Sequence, residues 1–531
     1  MKCSPVFCVF FLPIIIIPIT SYGEVLTRRS ASACRLDRTK PKFEYEYYQK
    51  GDVMIGGLFS AHLLSEFHPK VKEVKIGSGG SKHFYLCNDI DLEEYKSILA
   101  MIVGVNQINQ FPEFLPNITL GYHIFNTCND PKKTLGYAVK ILSVGKEAPN
   151  YYCKGRGEVA AFIGDSSFHT NQALAQLLSL HRYTQVTYRV VDTPLSDGKM
   201  YPTLFRMTPD DRVRYAAIFK LLHHFGWNYV GILSSDDGSG DKESQELSKL
   251  MSQHGICTSY IISLTRNIDQ YIDKMRTIMK STAEVVIVCG PYTEKFFWLG
   301  YNLPFALRKI KLIFPPSWSK IIHLYKDDVS VINCSFVFSW SPKFNLGNNI
   351  HTHSMFPKRM YDPMLEDIWI FYYYCFSPNL LKNDVVKKLF KYPLKHCPNL
   401  TDVSNVLSGY TPIPSYAYMA VYILAKALHD MYMKKNKSEQ NGFQHILHKY
   451  VRNVRFLPRV EILFNQKKEI PTVLNLQSWL FLDSSRFLST TISTLQGPDF
   501  VPKSFPNMSD PRFWKTGKVR NDLMFSVYIV G

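Results

Sequence analysis

The chain has 531 residues, 46% of them hydrophobic, and a formal net charge of +18. That length exceeds one ordinary core, so two or three domains are expected, and the composition excludes a disordered or low-complexity class. The lysines are scattered rather than clustered, which argues against nucleic acid and for a solvated basic surface drawn to acidic glycans or membrane surfaces.

Taken in chain order, Lys2 precedes the apolar run "VFCVFFLPIIIIPIT" (Val6 to Thr20), followed by the small-residue stretch "SYG". This describes a secretory signal peptide over residues 1–23. The competing reading is a membrane anchor, but the run is short for a bilayer and carries Pro13 and Pro18. A secretory route agrees with five Asn-x-Ser/Thr sequons, at Asn117, Asn333, Asn399, Asn436 and Asn507. Of eleven cysteines, Cys3 and Cys8 leave with the signal peptide. The odd remainder implies disulfides plus a free or intermolecular thiol.

The segments "GDVMIGGLFSAH" and "EEYKSILAMIVGVNQIN" read as a strand and a helix, separated by the glycine-rich loop "VKIGSGGSKHF". From about Gly157 strands and helices alternate. "EVAAFIGDSS", "TQVTYRVVD", "WNYVGIL", "ICTSYIISL", "AEVVIVCG" and "IKLIFPPSW" read as strands. "HTNQALAQLLSLHR", "RVRYAAIFKLLHHFG", "ESQELSKLMSQHG" and "IDQYIDKMRTIMKS" read as helices. Asp210 and Asp211 stand where an N-cap belongs, and Gly226 where a helix stops. Repeated β-α units imply parallel sheets covered by helices on both faces, and two such sets suggest two lobes with a cleft between them. "SYAYMAVYILAKALHDMYM", from Ser415, is interrupted by Lys426 and His429 and reads as a buried helix rather than a membrane span. "FNLGNNIHTHSMFPKRM" reads as an irregular loop, and the proline-rich stretch after Gln496 as an irregular tail over residues 497–531.

The chemistry-bearing motifs are weak. "DGSG" at Asp237 lacks the dinucleotide fingerprint and its aspartates repel phosphate, while "GSGGSK" lacks Walker spacing. Asp236, Asp237 and Asp241 lack the glutamate of an EF-hand loop, no CxxC pair exists, and the histidine pairs lack HExxH spacing, so no metal or cofactor is expected. "IGDSS" is not G-x-S-x-G and no triad partners stand out, which argues against a hydrolase.

The runs "LPNITLGYHIFNTC", "AQLLSLHRYTQVTY", "LSDGKMYPTLFRMTPDDRVRYAAIFKLLHHFGWNYVGILSSDDGSG", "SQHGIC" and "SYAYMAVYILAKALHDM" resemble the extracellular domain of family C G-protein-coupled receptors, and most closely vomeronasal type 2 receptors. The resemblance spans roughly Cys34 to Gln496. It implies an α/β fold of the bilobed Venus-flytrap type, like type I periplasmic binding proteins: two parallel-sheet lobes flanked by helices. Lobe 1 is then residues 24–207 and 343–458, and lobe 2 is residues 208–342 and 459–496. The chain would cross near Arg206–Thr208, Trp340–Lys343 and Leu457–Arg459. A ligand in the cleft would favour the closed form.

Carried over residue by residue, the resemblance assigns the ligand site to Ser166, Ser167, Phe168, Arg189, Val191, Asp211, Ser239 and Pro316. Phe168 stands where amino-acid-binding relatives carry serine, Ser239 where they carry tyrosine, and Pro316 where they carry an acid. Asp211 keeps the acidic anchor, although helix capping explains an aspartate there equally well, and Arg189 offers a bidentate carboxylate partner. Most of the amino-acid clamp is therefore missing, and a peptide or small polar pheromone-like ligand is expected. The resemblance also implies disulfides Cys87–Cys128 and Cys375–Cys397, an unpaired Cys257, a dimer through lobe 1, and G-protein signalling in full-length relatives. The cysteine-rich and seven-helix parts of those relatives are not in this sequence. A soluble decoy or binding protein, an incomplete receptor fragment, and an amino-acid or cation sensor are the alternatives. The expected location is the secretory pathway: the plasma membrane as part of a full-length receptor, or secretion as a complete chain.

Overall fold

The computed structural model describes residues 45–64, 87–143 except 112, 158–189, 193–208, 211–264 except 237, 268–291, 310–318, 331–341, 362–376 except 374, 413–434, 442–455, 464–470, 473–481, 487–496 and 499–502, with Phe296, Leu299, Leu307, Asn383, Lys395 and His396. The signal-peptide assignment, the "GSGGSK" loop, the "FNLGNNIHTHSMFPKRM" loop, Cys34, Cys153 and Val191 lie outside these residues.

The first unit runs β1 (Glu46–Gln49), β2 (Val53–Phe59), β3 (His62–Leu64), β4 (Cys87–Ile90), α1 (Leu92–Gln110), β5 (Leu120–Asn126), α2 (Pro131–Leu142), β6 (Glu158–Ile163), α3 (Phe168–Leu180), β7 (Thr184–Thr187) and β8 (Leu204–Arg206). Its six-stranded sheet has the order β1-β5-β2-β6-β7-β8, parallel except for β1. Every residue of β2 and β5 is buried, as expected of strands covered on both faces. Helix starts follow local chemistry. Asp91 caps α1 through the Glu93 N–H at 3.1 Å, and Asp130 caps α2 through Lys132 N–H at 2.8 Å with Pro131 in the first turn.

The second unit begins with α4 (Arg212–His224) and continues through β9 (Tyr229–Ser235), α5 (Ser239–Gln253), β10 (Cys257–Leu264), α6 (Ile268–Lys280), β11 (Val285–Cys289), β12 (Lys311–Phe314) and β13 (Ser335–Ser341). The chain then returns to the first unit with α7 (Pro363–Tyr373), β14 (Cys375–Phe376), β15 (Lys395–His396), α8 (Ile413–Lys434) and α9 (Leu447–Val451). It ends in the second sheet with β16 (Val473–Phe481), β17 (Phe487–Gln496) and β18 (Asp499–Pro502). That sheet has the order β10-β9-β11-β12-β13-β16-β17-β18, parallel as far as β13 and antiparallel beyond. Two parallel-dominated sheets, each flanked by helices, make the bilobed α/β fold of periplasmic binding proteins.

The returning segment is sealed into the first lobe from both ends. Asp362, just before α7, accepts hydrogen bonds from the Tyr47 and Tyr95 hydroxyls at 2.7 and 2.8 Å, and Met364, Ile368 and Trp369 join the first core. Helix α8 lies along α1, where Gly104 lets the backbones approach. A Cβ there would stand 3.3 Å from both Tyr418 and Val421.

Two boundaries differ from the sequence reading. Phe464 and Ile470, assigned above to lobe 2, belong to the first core, and Glu469 bridges Arg206 of β8. The crossing point near Leu457–Arg459 lies outside the described residues, but the chain is still on the first lobe at Ile470. Within the expected irregular tail, Asp499–Pro502 forms β18 against β17. Asp211 stands at the N-cap position of α4 as expected, but it has helical backbone angles and makes no side-chain cap hydrogen bond. Gly226, at φ +66°, does terminate α4 as expected.

Cys128 and Cys375 are each disulfide-bonded; the expected partners, the Cys87 side chain and Cys397, lie outside the described residues. Cys257 is free and exposed, and Cys289 and Cys334 are free and buried. Asn117 sits exposed in a turn, Asn333 is half-buried and accepts from the Cys334 N–H at 2.9 Å, and Asn399, Asn436 and Asn507 are outside the described residues.

Candidate functional site

In sheets of this kind ligands bind beyond the carboxyl ends of the strands. On the first lobe that edge is built on Asp165, which is completely buried. Ser60 Oγ donates to its carboxylate at 2.8 Å, Thr127 Oγ1 at 2.5 Å and the Ser166 N–H at 2.5 Å. Its carbonyl accepts from Asn171 Nδ2 at 2.8 Å and Thr187 Oγ1 at 3.1 Å. Burial raises the Asp165 carboxyl above its ordinary range, and these donors oppose the rise. A satisfied polar network of this density fixes the loop that carries Ser166, Ser167 and Phe168. Ser167 caps α3, its Oγ lying 2.7 Å from Thr170 Oγ1. Phe168 is buried among Ala175, Leu195, Tyr201 and Leu204.

At the end of β7, Arg189 meets two carboxylates: Nη1 lies 3.1 Å from Asp91 and 2.8 Å from Glu94. The Tyr188 hydroxyl also donates to Glu94. Glu94 is fully buried, and desolvation lifts its carboxyl to about 7 even with Arg189 opposing. Arg189 is therefore ion-paired within its own lobe.

The second lobe repeats the pattern. Asp211 is bound by Arg214, with Nη2 at 2.9 Å and Nε at 3.1 Å, and Arg214 Nη2 also lies 2.7 Å from Glu243 of α5. All three are at least nine-tenths buried. Glu243 Oε2 accepts the Gly290 N–H at 2.8 Å, fixing α5 to the loop after β11. Desolvation lifts the Glu243 carboxyl to about 7, opposed by Arg214. Asp211 is thus one of two acids sharing an internal guanidinium. Ser239, half-buried, opens α5 behind Gly238 at φ +79°, and Pro316 begins a single 3-10 turn ending at the buried Trp318. Trp318 Nε1 donates to Gly290 O at 3.0 Å.

The two edges meet where Lys242 Nζ of α5 lies 5.1 Å from the centroid of the Phe168 ring. Of the expected site residues, Ser166, Ser167, Phe168 and Arg189 share the first edge and Asp211, Ser239 and Pro316 the second. Sequence reasoning missed Asp165, Glu94, Arg214, Glu243 and Lys242. Among the described residues no group of three or more His, Cys, Asp or Glu side chains could hold a metal ion, and no helix is long and apolar enough to cross a membrane.

These features define a bilobed α/β fold of the periplasmic-binding-protein type. Residues 97–297 match the receptor family ligand binding region. The chain is similar to the mouse (Mus musculus) taste receptor type 1 member 3, at 26% identity over 51% of this chain and 32% of the relative. It is similar to the bovine (Bos taurus) extracellular calcium-sensing receptor, at 25% identity over 72% of this chain and 38% of the relative. Taste receptor type 1 member 3 of Gorilla gorilla gorilla is 31% identical over 51% of this chain and 32% of its own length. The chain thus carries a ligand-binding region homologous to those of family C receptors, and it spans about a third of the length of the curated relatives it matches. Those relatives are receptors, not enzymes.

Proposed function

We propose that this chain is the ligand-binding region of a vomeronasal type 2-like chemosensory receptor, taking a peptide or small polar pheromone-like ligand between its lobes. The observation that carries the ligand class is the internal use of both amino-acid anchors: Arg189 is paired with Asp91 and Glu94, and Asp211 with Arg214. Phe168 fills a position where hydroxyls would hold a carboxylate, and it packs into its own lobe. A free α-amino acid then finds neither Arg189 nor Asp211 unpaired, whereas an extended polar ligand gains from many backbone and hydroxyl groups at once. Closure over such a ligand follows from contacts made to both lobes. Dimerisation through the first lobe, disulfides Cys87–Cys128 and Cys375–Cys397, cell-surface location, and G-protein coupling in a full-length form complete the proposal.

The test is a thermal-shift screen of the purified chain against peptide pools and against the free amino acids. Stabilisation by peptides, with no response to amino acids at millimolar concentration, is the expected result. Stabilisation by a free amino acid that disappears in Asp211→Ala overturns the peptide reading.

A further inference from the structure

The first lobe gathers positive charge where three segments converge beside the chain crossing. The turn after α3 carries Arg182, the short helix α9 and its end carry Lys449 and Arg452, and the turn before Glu469 carries Lys467 and Lys468. Hydrogen bonds join the first two segments to each other and the third to the Tyr201–Pro202 loop of the same lobe. His445 Nδ1 lies 2.5 Å from the His181 carbonyl oxygen, and Lys468 Nζ donates to the carbonyls of Tyr201 and Pro202 at 3.1 and 2.6 Å. The cations sense one another. Burial first, then Lys449, Lys468 and Arg182, depress His448, while burial followed by Arg452 brings Lys468 down to about 8.

Arg182, Lys449, Arg452 and Lys467 are all exposed, and among the described residues none of them stands in an ion pair. Elsewhere on the same lobe basic side chains are matched, as in Lys140 with Glu46 and Lys426 with Asp430. Among the described residues the acidic groups reaching this cluster are Asp197, held by the N–H groups of Lys199 and Met200, Glu158 beside Tyr183, and Glu469, which is buried against Arg206. They are too few to balance it.

We propose that this face is a docking surface for a sulfated glycan chain. Unpaired like charges held together in an ordered framework repel one another, and a flexible polyanion relieves that repulsion along its length. The choice of glycan over lipid rests on the secretory reading of the N-terminus and sequons, because anionic lipid is concentrated in the cytoplasmic leaflet. Leu180 and Met200 are exposed nearby, but they are single residues on separate segments rather than a continuous apolar patch.

The experiment measures binding of the purified chain to immobilised heparin in about 0.15 M salt, where the screening length is about 8 Å. The wild type is expected to bind, and the combined variant Arg182→Glu, Lys449→Glu, Arg452→Glu to lose at least about tenfold in affinity. The control Lys132→Glu, Lys249→Glu, which removes exposed charge elsewhere, should bind like the wild type. Circular dichroism checks the fold, and Lys449→Glu or Arg452→Glu alone, each expected to weaken binding, replaces the combined variant if that one is unfolded. No retention of the wild type, equal losses in the control, or tighter binding to phosphatidylserine-containing vesicles than to heparin each overturns the proposal.

Discussion

Arg214 stands on the apolar stripe of its helix, in line with Ile218, Leu221 and Leu222, and it is 2% exposed. A charge at that spacing is itself the sequence signal of a buried ion pair. Glu94, ahead of Ile98 and Met101, and Glu243, ahead of Leu247 and Met251, carry the same signal. The family positions point to Asp211 alone and pass over these partners. Replacing Arg214 by Met leaves two buried carboxylates facing each other without a cation. Denaturant unfolding should register a loss of about 3–5 kcal/mol, as for other broken buried pairs. A change below about 1 kcal/mol means that the triad is solvated. The same clusters make stability depend on pH. Burial raises Glu94 and Glu243 from the ordinary 4.5 to about 7. The folded chain therefore binds protons more readily than the unfolded chain between those values. The stabilisation is fully present below the unfolded value and is lost as pH rises towards 7, by at most about 1.4 kcal/mol per pH unit per site. In Glu243→Gln that decline should flatten, read as the urea midpoint against pH; an unchanged slope assigns it to other groups.

At the level of elements, the strands are legible wherever burial on both faces makes a short apolar run bounded by polar residues. "VVIVC" forms β11 and "YVGILSS" forms β9. The β7 stretch reads too long, because Tyr188 and Arg189 turn away to meet Glu94 after only four strand residues. Strand β18 is not legible. "DFVP" gains its place from β17, a partner that proline-rich composition cannot announce. The α1–α8 contact is equally silent, since nothing local joins residues more than three hundred positions apart. Its one trace is Gly104 inside an otherwise good helix, at a cost that only a close approach explains. Gly104→Leu should destabilise the first lobe by about 1–3 kcal/mol, because Tyr418 and Val421 stand in the way. Thermal unfolding reads this directly, and an unchanged midpoint means that the helices pack with slack. Thiol accessibility tests the second sheet in the same way. Maleimide followed by peptide mapping should label Cys257 in the native chain and reach Cys289 and Cys334 only after denaturation.

For the whole molecule, what matters is how two lobes built from interleaved segments communicate. At the crossing, Arg206 is buried against Glu469 with Ser196 beside them, so the first and third passages of the chain are fixed to each other. Across the cleft, the described contact between the edges is Lys242 over Phe168. One end of this pair is anchored in an apolar cluster, while the other is an exposed side chain on a helix locked to its own lobe through Glu243 and Gly290. Such a contact links the lobes without a ligand and biases the open–closed balance by its own free energy. A cation–π contact of this exposure contributes about 0.5–1 kcal/mol, enough to move that balance by about 2- to 5-fold. Lys242→Met keeps the aliphatic stem and removes the charge. The unliganded variant should therefore populate more open forms, seen as a larger radius of gyration in small-angle scattering, and should need more ligand to reach half-closure. Lys249→Met, one of the exposed lysines on the same helix, is the control and should leave both quantities unchanged. If Lys242→Met scatters and titrates like the wild type, the pair is a bystander, and closure must be set by the ligand and the crossing segments alone.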